Sequence, residues 1–260
     1  MASLERALAI VFALERFPDG LSASRLSSET ETSLSTLYRY IAVLTAHEII
    51  HYDRRLARYQ LGNRLLSLAS KIPAQRELVK CALPHMQLLS REIGETVIIT
   101  QVTGYEAICL ERVESDTVVR LSFEKGAVLP LHAGASARVL MAYLSDEELE
   151  AVVQHAGLDR YTENTITDAA QLRELLRQVR EQGHAISDEE YDRGVTAIAV
   201  PIFDPEGRAI AGLSVPGPRF RLDERKSAWV LQKLKEVSQK ITASLSANTK
   251  QDLERGGRLV

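Results

Sequence analysis

At 260 residues, 45% hydrophobic and 26% charged, the chain is long enough for two modest domains and too apolar for global disorder. A formal net charge of -3 excludes a uniformly basic nucleic-acid binder, but residues 1–71 hold nine Lys/Arg against seven Asp/Glu, so the basic excess lies in the N-terminal part. Cys81 and Cys109 lack C-x-x-C spacing and the six histidines lack metal-ligand spacing, so no disulfide framework, metal site or cofactor is expected.

Leu4, Ala7, Leu8, Val11 and Phe12 recur at helical spacing, and Pro18-Asp19-Gly20 stops that helix with a turn. Ser22 stands in N-cap position for a short helix reaching about Glu29. The next helix, from Thr32 to Leu44, places Leu34, Leu37, Ile41 and Leu44 on one face and Thr32, Ser35, Thr36 and Arg39 on the other. Two short helices across a tight turn, the second with a small hydroxylated face and one arginine, have the profile of a helix-turn-helix. Residues 47–62 read as a β-hairpin with Arg54 and Arg55 at its tip and Arg58 just beyond, which is a wing placed for phosphate contact.

After a short helical stretch at 63–70, Ile72-Pro73 reads as a linker. An amphipathic helix from Ala74 to Ile93 follows, with Leu78, Ala82, Met86, Leu89 and Ile93 on one side and a kink expected at Pro84. Beyond Gly94 the period changes to 2. Strands are expected over Thr96–Val102, Ala107–Val113 and Val118–Phe123, and a loop over 125–134 feeds a helix from Ser136 to Leu144. Ser145 and Glu148 form a capping box for the next helix, and Thr167 caps another that stops at Gly183. Strands resume at 185–187, 196–203 and 209–215, and a last helix spans Asp223 to Ser246. The expected fold class is α+β. A winged helix-turn-helix occupies residues 1–64, linker helices 65–93, a domain on an antiparallel sheet of five or six strands 94–247, and a frayed tail 248–260. No apolar run approaches the roughly 20 residues of a membrane span, so no membrane partner and a cytoplasmic location are expected.

The segments SLERALAI (3–10), LSASRLSSETETSLSTLYRYIAVL (21–44), RYQLG (58–62), GETVIITQV (94–102), LERVES (110–115), LPLHAGASARVLMAYL (129–144), YTENTITD (161–168), DEEYDRGVTAIAVPIFD (188–204) and AGLSVPGPRFRL (211–222) resemble, in order and spacing, transcriptional regulators of the IclR family. The resemblance implies a winged helix-turn-helix that binds double-stranded operator DNA, a GAF-like domain that binds a small-molecule effector, and a homodimer or homotetramer formed through the N-terminal part. Two positions depart from the family pattern: Glu31 stands where glycine is common in the turn, and Ser33 where proline opens the helix. A left-handed backbone at Glu31 would cost about 1 kcal/mol.

The DNA-facing candidates are Ser33, Ser35, Thr36, Tyr38 and Arg39 on the recognition helix, with Arg39 suited to guanine or to a phosphate, and Arg54, Arg55 and Arg58 on the wing. In the second domain, the loop of small residues at 131–136 leads into a helix whose leading amides suit an anion. The resemblance assigns effector contacts to the positions of Ala135, Ser136, Ser187, Ala197 and Ser214, and only Ser214 keeps the residue of relatives that bind small keto acids. Val119, Leu121, Leu129, Leu131 and Met141 are expected as apolar walls, and Arg138 is expected to face outward. A roomier, more apolar site than in those relatives favours a larger carboxylate such as an aromatic acid. His132 is a lesser candidate beside this site. There is no nucleophile elbow, phosphate-binding glycine loop or compelling carboxylate pair, so no catalytic residue is assigned and the chain is not expected to be an enzyme. The alternative is a metabolite sensor or small-molecule enzyme whose winged helix serves protein contacts.

Overall fold

A computed structural model describes residues 3–69, 71–115 and 124–256. The chain divides into two compact units, Met1–Arg76 and Glu77–Val260.

The first unit contains α1 (Ser3–Glu15), α2 (Ala23–Glu29), α3 (Leu34–Ala46), the antiparallel hairpin β1 (Ile50–Asp53) and β2 (Arg58–Leu61), and α4 (Asn63–Ala69). Its core is aliphatic: Ile10 and Leu14 of α1, Leu26 of α2, and Leu37 and Ile41 of α3 close over Ile50 of β1. The Ser22 hydroxyl accepts the Arg25 amide at 3.3 Å, so α2 starts where the cap signal puts it. The turn between α2 and α3 passes through Glu31 at φ 48°, a left-handed conformation that a glycine would adopt without strain.

Thr32 does not join the outward face. It is 6% exposed, its hydroxyl donates to the Thr30 carbonyl at 3.0 Å, and its own carbonyl accepts the Ser27 hydroxyl at 2.6 Å. These bonds close the turn, so Thr32 belongs to the turn's internal wiring. Leu34 departs the other way: as the first residue of α3 it precedes the part of the helix that meets the core, and it is 47% exposed. The wing is pinned at its base, where a Cβ on Gly62 would lie 2.0 Å from the Glu48 carbonyl oxygen.

The second unit is built on a six-stranded antiparallel sheet of order β5-β4-β3-β8-β7-β6 among the described residues. The strands are β3 (Val97–Thr103), β4 (Glu106–Val113), β5 (Val128–Pro130), β6 (Ala185–Asp188), β7 (Val195–Phe203) and β8 (Ala209–Pro218). One face is covered by α5 (Pro73–Ile93) and α9 (Glu224–Gly256), and the expected stripe Leu78, Ala82, Met86, Leu89 and Ile93 is the buried side of α5. The other face carries α6 (Ala135–Met141), α7 (Asp146–His155) and α8 (Ala169–Gln182). Helices on both sides explain why β7 is buried almost continuously rather than in alternation.

The capping box of Ser145 and Glu148 forms as expected, but α8 is capped by Asp168, whose carboxylate accepts the Gln171 amide at 2.7 Å, and not by Thr167. The stretch expected as a loop at 125–134 includes the short edge strand β5, paired with Glu106–Ile108. The strand expected over Val118–Phe123 lies outside the described residues. Helix α9 runs to Gly256, past the end expected at Ser246 and into the expected tail, because Lys250, Gln251, Glu254 and Arg255 are good helix formers and no glycine interrupts them before Gly256. Cys81 and Cys109 are both buried, and burial pushes the Cys109 thiol up to about 11. No helix among the described residues is long and apolar enough to cross a membrane.

Candidate nucleic-acid interface and candidate ligand cavity

Ser33 stands at the N-cap of α3, but its hydroxyl makes no capping bond to the backbone. It donates instead to Thr36 Oγ1 at 3.0 Å and lies 3.4 Å from Ser35 Oγ. Three hydroxyls therefore cluster at the start of the helix. Tyr38 and Arg39 extend from the same helix into solvent. At the wing tip, the Asp53 carboxylate accepts the Arg55 and Leu56 amides at 2.7 and 3.1 Å, and Ala57 turns left-handed, so the tip is a shaped turn that leaves Arg54 and Arg55 exposed.

Arg16 and Arg25 of this unit form ion pairs with Glu29. Arg39, Arg54 and Arg55 have no carboxylate partner among the described residues, so their charge is available to an external anion. Arg58 differs: its Nη1 reaches the Asp19 carbonyl at 3.5 Å and ties the foot of the wing to the turn after α1.

In the second unit, six of the expected effector residues, Leu129, Ala135, Ser136, Ser187, Ala197 and Ser214, line one cavity. Five strands and the entry to α6 line it: β3, β7 and β8 form the floor, Leu129 comes from β5 and Ser187 from β6, and Ala133–Ser136 closes the top. Helix α6 sits tightly on this floor. Thr100 Oγ1 donates to the Ser136 carbonyl at 3.1 Å, and a Cβ on Gly212 would lie 2.4 Å from that same carbonyl oxygen. Glycine at 212 is therefore what lets the helix reach the sheet. Ser214, which lines the cavity, is fully buried, and its hydroxyl has no hydrogen-bond partner among the described residues. A buried unsatisfied hydroxyl costs about 1–3 kcal/mol, which a ligand or a water accepting from it would recover.

Two expected wall residues fall elsewhere. Leu131 and Met141 are fully buried in the core between the sheet and α6–α8 and do not line the cavity; Met141 ends α6, too far along the helix axis to reach back. Leu121, like Val119, lies outside the described residues. Arg138 does not face outward: it is 1% exposed and forms an ion pair with Glu190, with further bonds to the Ile186 and His132 carbonyls. Burial pulls its pKa down to about 10, which leaves it charged at neutral pH.

Sequence reasoning missed Ile98 of β3 and the remaining wall, formed by Tyr191 and Asp192 of the loop after β6 and by Val195 at the start of β7. The Tyr191 ring rests on Tyr161, which in turn packs near His132. The enclosed space is about 20 Å³, room for roughly one water, so the expected roominess is not seen with these walls in place.

His132 sits behind this wall, with Nε2 3.0 Å from the Asp159 carbonyl. Burial lowers its pKa below the usual 6.5, outweighing the Asp159 bond, and the Arg138 charge acts in the same direction. The unfolded chain then binds the proton more readily than the folded one. The stability tied to neutral His132 is present in full above the unfolded pKa and is lost as pH falls through 6.5 toward the folded value. Urea midpoints should accordingly drop between pH 7.5 and 5.5, and His132→Gln, which cannot titrate, should show a smaller drop. Equal slopes in the two proteins would refute this.

Residues 3–54 match the IclR helix-turn-helix domain, and residues 71–243 match the bacterial transcriptional regulator IclR C-terminal domain. The HTH-type transcriptional repressor AllR of Salmonella paratyphi A is 32% identical over 243 residues, covering 94% of this chain and 89% of that protein. An IclR homologue from Microbacterium hydrocarbonoxydans, crystallised with 4-hydroxybenzoate, superposes with a TM-score of 0.81 at 26% identity, covering 95% of this chain and all of that one (100%). An IclR regulator from Silicibacter sp. TM1040 superposes with a TM-score of 0.82 at 24% identity over 94% of this chain and 96% of its own, which speaks to the fold alone. A winged helix with exposed arginines, a sheet-based domain with a cavity over Ser214 and these matches over nearly the whole chain lead to one assignment: the chain belongs to the IclR family of transcriptional regulators, with a helix-turn-helix domain and an effector-binding domain.

Proposed function

We propose that the protein represses a catabolic operon, binding operator DNA through α3 and the wing, and that a small carboxylate of aromatic-acid size binds at the Ser214 cavity and changes that binding. The observation that carries the effector reading is the buried, unpartnered Ser214 hydroxyl in a cavity otherwise walled largely by small and apolar side chains. One hydroxyl and the leading amides of α6 suit a carboxylate, and apolar neighbours suit a ring. The 4-hydroxybenzoate bound by the Microbacterium homologue supports this class of ligand, and the repressor name of AllR supports the direction of control.

Self-association is supported by the first unit, where Leu4, Leu8 and Phe12 on α1 and Leu66 on α4 are exposed. In a homo-oligomer, paired recognition helices meet half-sites one DNA turn, or a multiple of it, apart, and an effector acts by favouring one arrangement of the pair.

The test is a titration of the protein–DNA complex, formed on the DNA upstream of its own gene, with 4-hydroxybenzoate and a panel of aliphatic and aromatic acids. An acid that shifts DNA affinity at least fivefold for the wild type, and has its midpoint moved at least tenfold by Ser214→Ala, is the expected result. If no acid alters DNA binding, or if Ser214→Ala responds as the wild type does, the effector reading fails. Turnover of an acid by the isolated protein would favour the enzyme alternative.

A further inference from the structure

We infer that Arg138 and Glu190 are a positioning pair that sets how readily the cavity wall opens to a ligand. The inference rests on the reading of the Ser214 cavity as the effector site. A space of about 20 Å³ admits no aromatic acid, so a wall must move before one enters. The floor belongs to central strands, whereas the Tyr191–Asp192 wall is a loop between β6 and β7.

Arg138 holds that loop from behind. Its guanidinium pairs with the Glu190 carboxylate and donates to the carbonyls of Ile186 and His132, both at 3.4 Å. Each of these partners directly precedes a residue that lines the cavity: Tyr191 follows Glu190, Ser187 follows Ile186 and Ala133 follows His132. One buried side chain thus fixes three separate segments of wall without itself lining the cavity. The Glu190 backbone is held as well, its carbonyl accepting the Thr165 hydroxyl at 2.6 Å and the Thr162 hydroxyl at 3.3 Å. The loop mouth is clamped separately: the Glu189 carboxylate accepts the Gly194 amide at 2.8 Å and Arg219 Nη1 at 2.6 Å.

A buried ion pair is a poor source of net stability, since desolvation offsets most of its attraction, but it is strict about geometry. Here that strictness falls on the wall. Weakening the pair raises the population of the open, binding-competent form and so speeds entry.

The experiment uses the full chain, in wild-type form and as Glu190→Gln and Arg138→Lys, with hydrogen–deuterium exchange and stopped-flow binding of 4-hydroxybenzoate. Glu190→Gln should exchange residues 188–195 and 132–136 at least tenfold faster while β7, β8 and α9 keep wild-type rates, and its association rate should rise severalfold. Arg138→Lys, which keeps the charge and loses the fork, should fall between Glu190→Gln and the wild type. Should Glu190→Gln not fold, the apolar pair Arg138→Met/Glu190→Met carries the same expectation. Exchange that rises uniformly across the domain, or not at all in these segments, shows a merely structural pair and overturns the inference. If the wild type itself fails to bind 4-hydroxybenzoate, the aromatic-acid reading loses its support, and the exchange pattern still decides the role of the pair.

Discussion

Gly212→Ala is expected to destabilise the second unit by about 3 kcal/mol or more, at the upper end of the cost of overpacking a core, lowering its Tm by about 6–12 °C for a domain of this size. The added Cβ would lie 2.4 Å from the Ser136 carbonyl oxygen, 3.0 Å from Thr100 Oγ1 and 3.1 Å from Val139 Cγ1. Two of those atoms belong to side chains that could rotate. The first is backbone, fixed at the start of α6, and moves only if the helix lifts from the sheet. Lifting it breaks the Thr100–Ser136 bond and moves Ala135 and Ser136 away from Ser214, so ligand binding should be lost along with stability. Scanning calorimetry and a binding titration on the same sample check both parts. A Tm within about 2 °C of the wild type would mean that α6 is not seated where this geometry puts it.

That close approach also marks where a sequence stops being readable. Gly212 in AGLSVPGP reads as a strand glycine, and only the position of α6 over β8 gives it a task. The apolar stripe of α5 and the Ser145 capping box were legible because each is decided by neighbours within a few residues, whereas the left-handed turn at Glu31 was legible only through the family resemblance. Arg138 was not. A lone arginine in a helix of small and apolar residues reads as solvent-facing by default, because burying it requires an acidic partner, and Glu190 lies far along the chain on another element.

The cavity shows the same division. Its floor and top fell to positions where the family resemblance points, while Tyr191 and Asp192 come from a loop whose path is set by Arg138, Thr162, Thr165 and Arg219 together. Leu131 and Met141 looked equally apolar in sequence, but apolar residues near a site are more often its packing than its lining. Thr167 and Asp168 are both competent caps side by side, and the carboxylate takes the position.

For the DNA interface, Arg39→Ala and Arg54→Ala should both weaken binding, by routes that can be told apart. Arg39 projects from α3 beside the Ser33, Ser35 and Thr36 hydroxyls, where a helix in the major groove presents side chains to base edges. Its loss should cost roughly tenfold to a hundredfold in affinity, the equivalent of about 1–3 kcal/mol for a bidentate base contact, and should relax preference at one base position in each half-site. Arg54 stands at the wing tip, and in the proposed docking it meets the phosphate backbone. Its loss should weaken binding to all sequences alike and reduce the slope of log K against log salt by about 0.9 for each phosphate no longer neutralised.

Fluorescence anisotropy over a salt series, with the upstream DNA and a scrambled duplex of equal length, separates the two. An Arg39→Ala variant that loses the same factor on both duplexes would make Arg39 a phosphate contact. Unchanged affinity for both variants would remove α3 and the wing from the interface altogether. The left-handed Glu31, lying just before α3, supplies a further discriminator: Glu31→Gln removes one negative charge without changing side-chain length, and if α3 lies in the groove it should tighten binding at low salt and lose that advantage as salt rises.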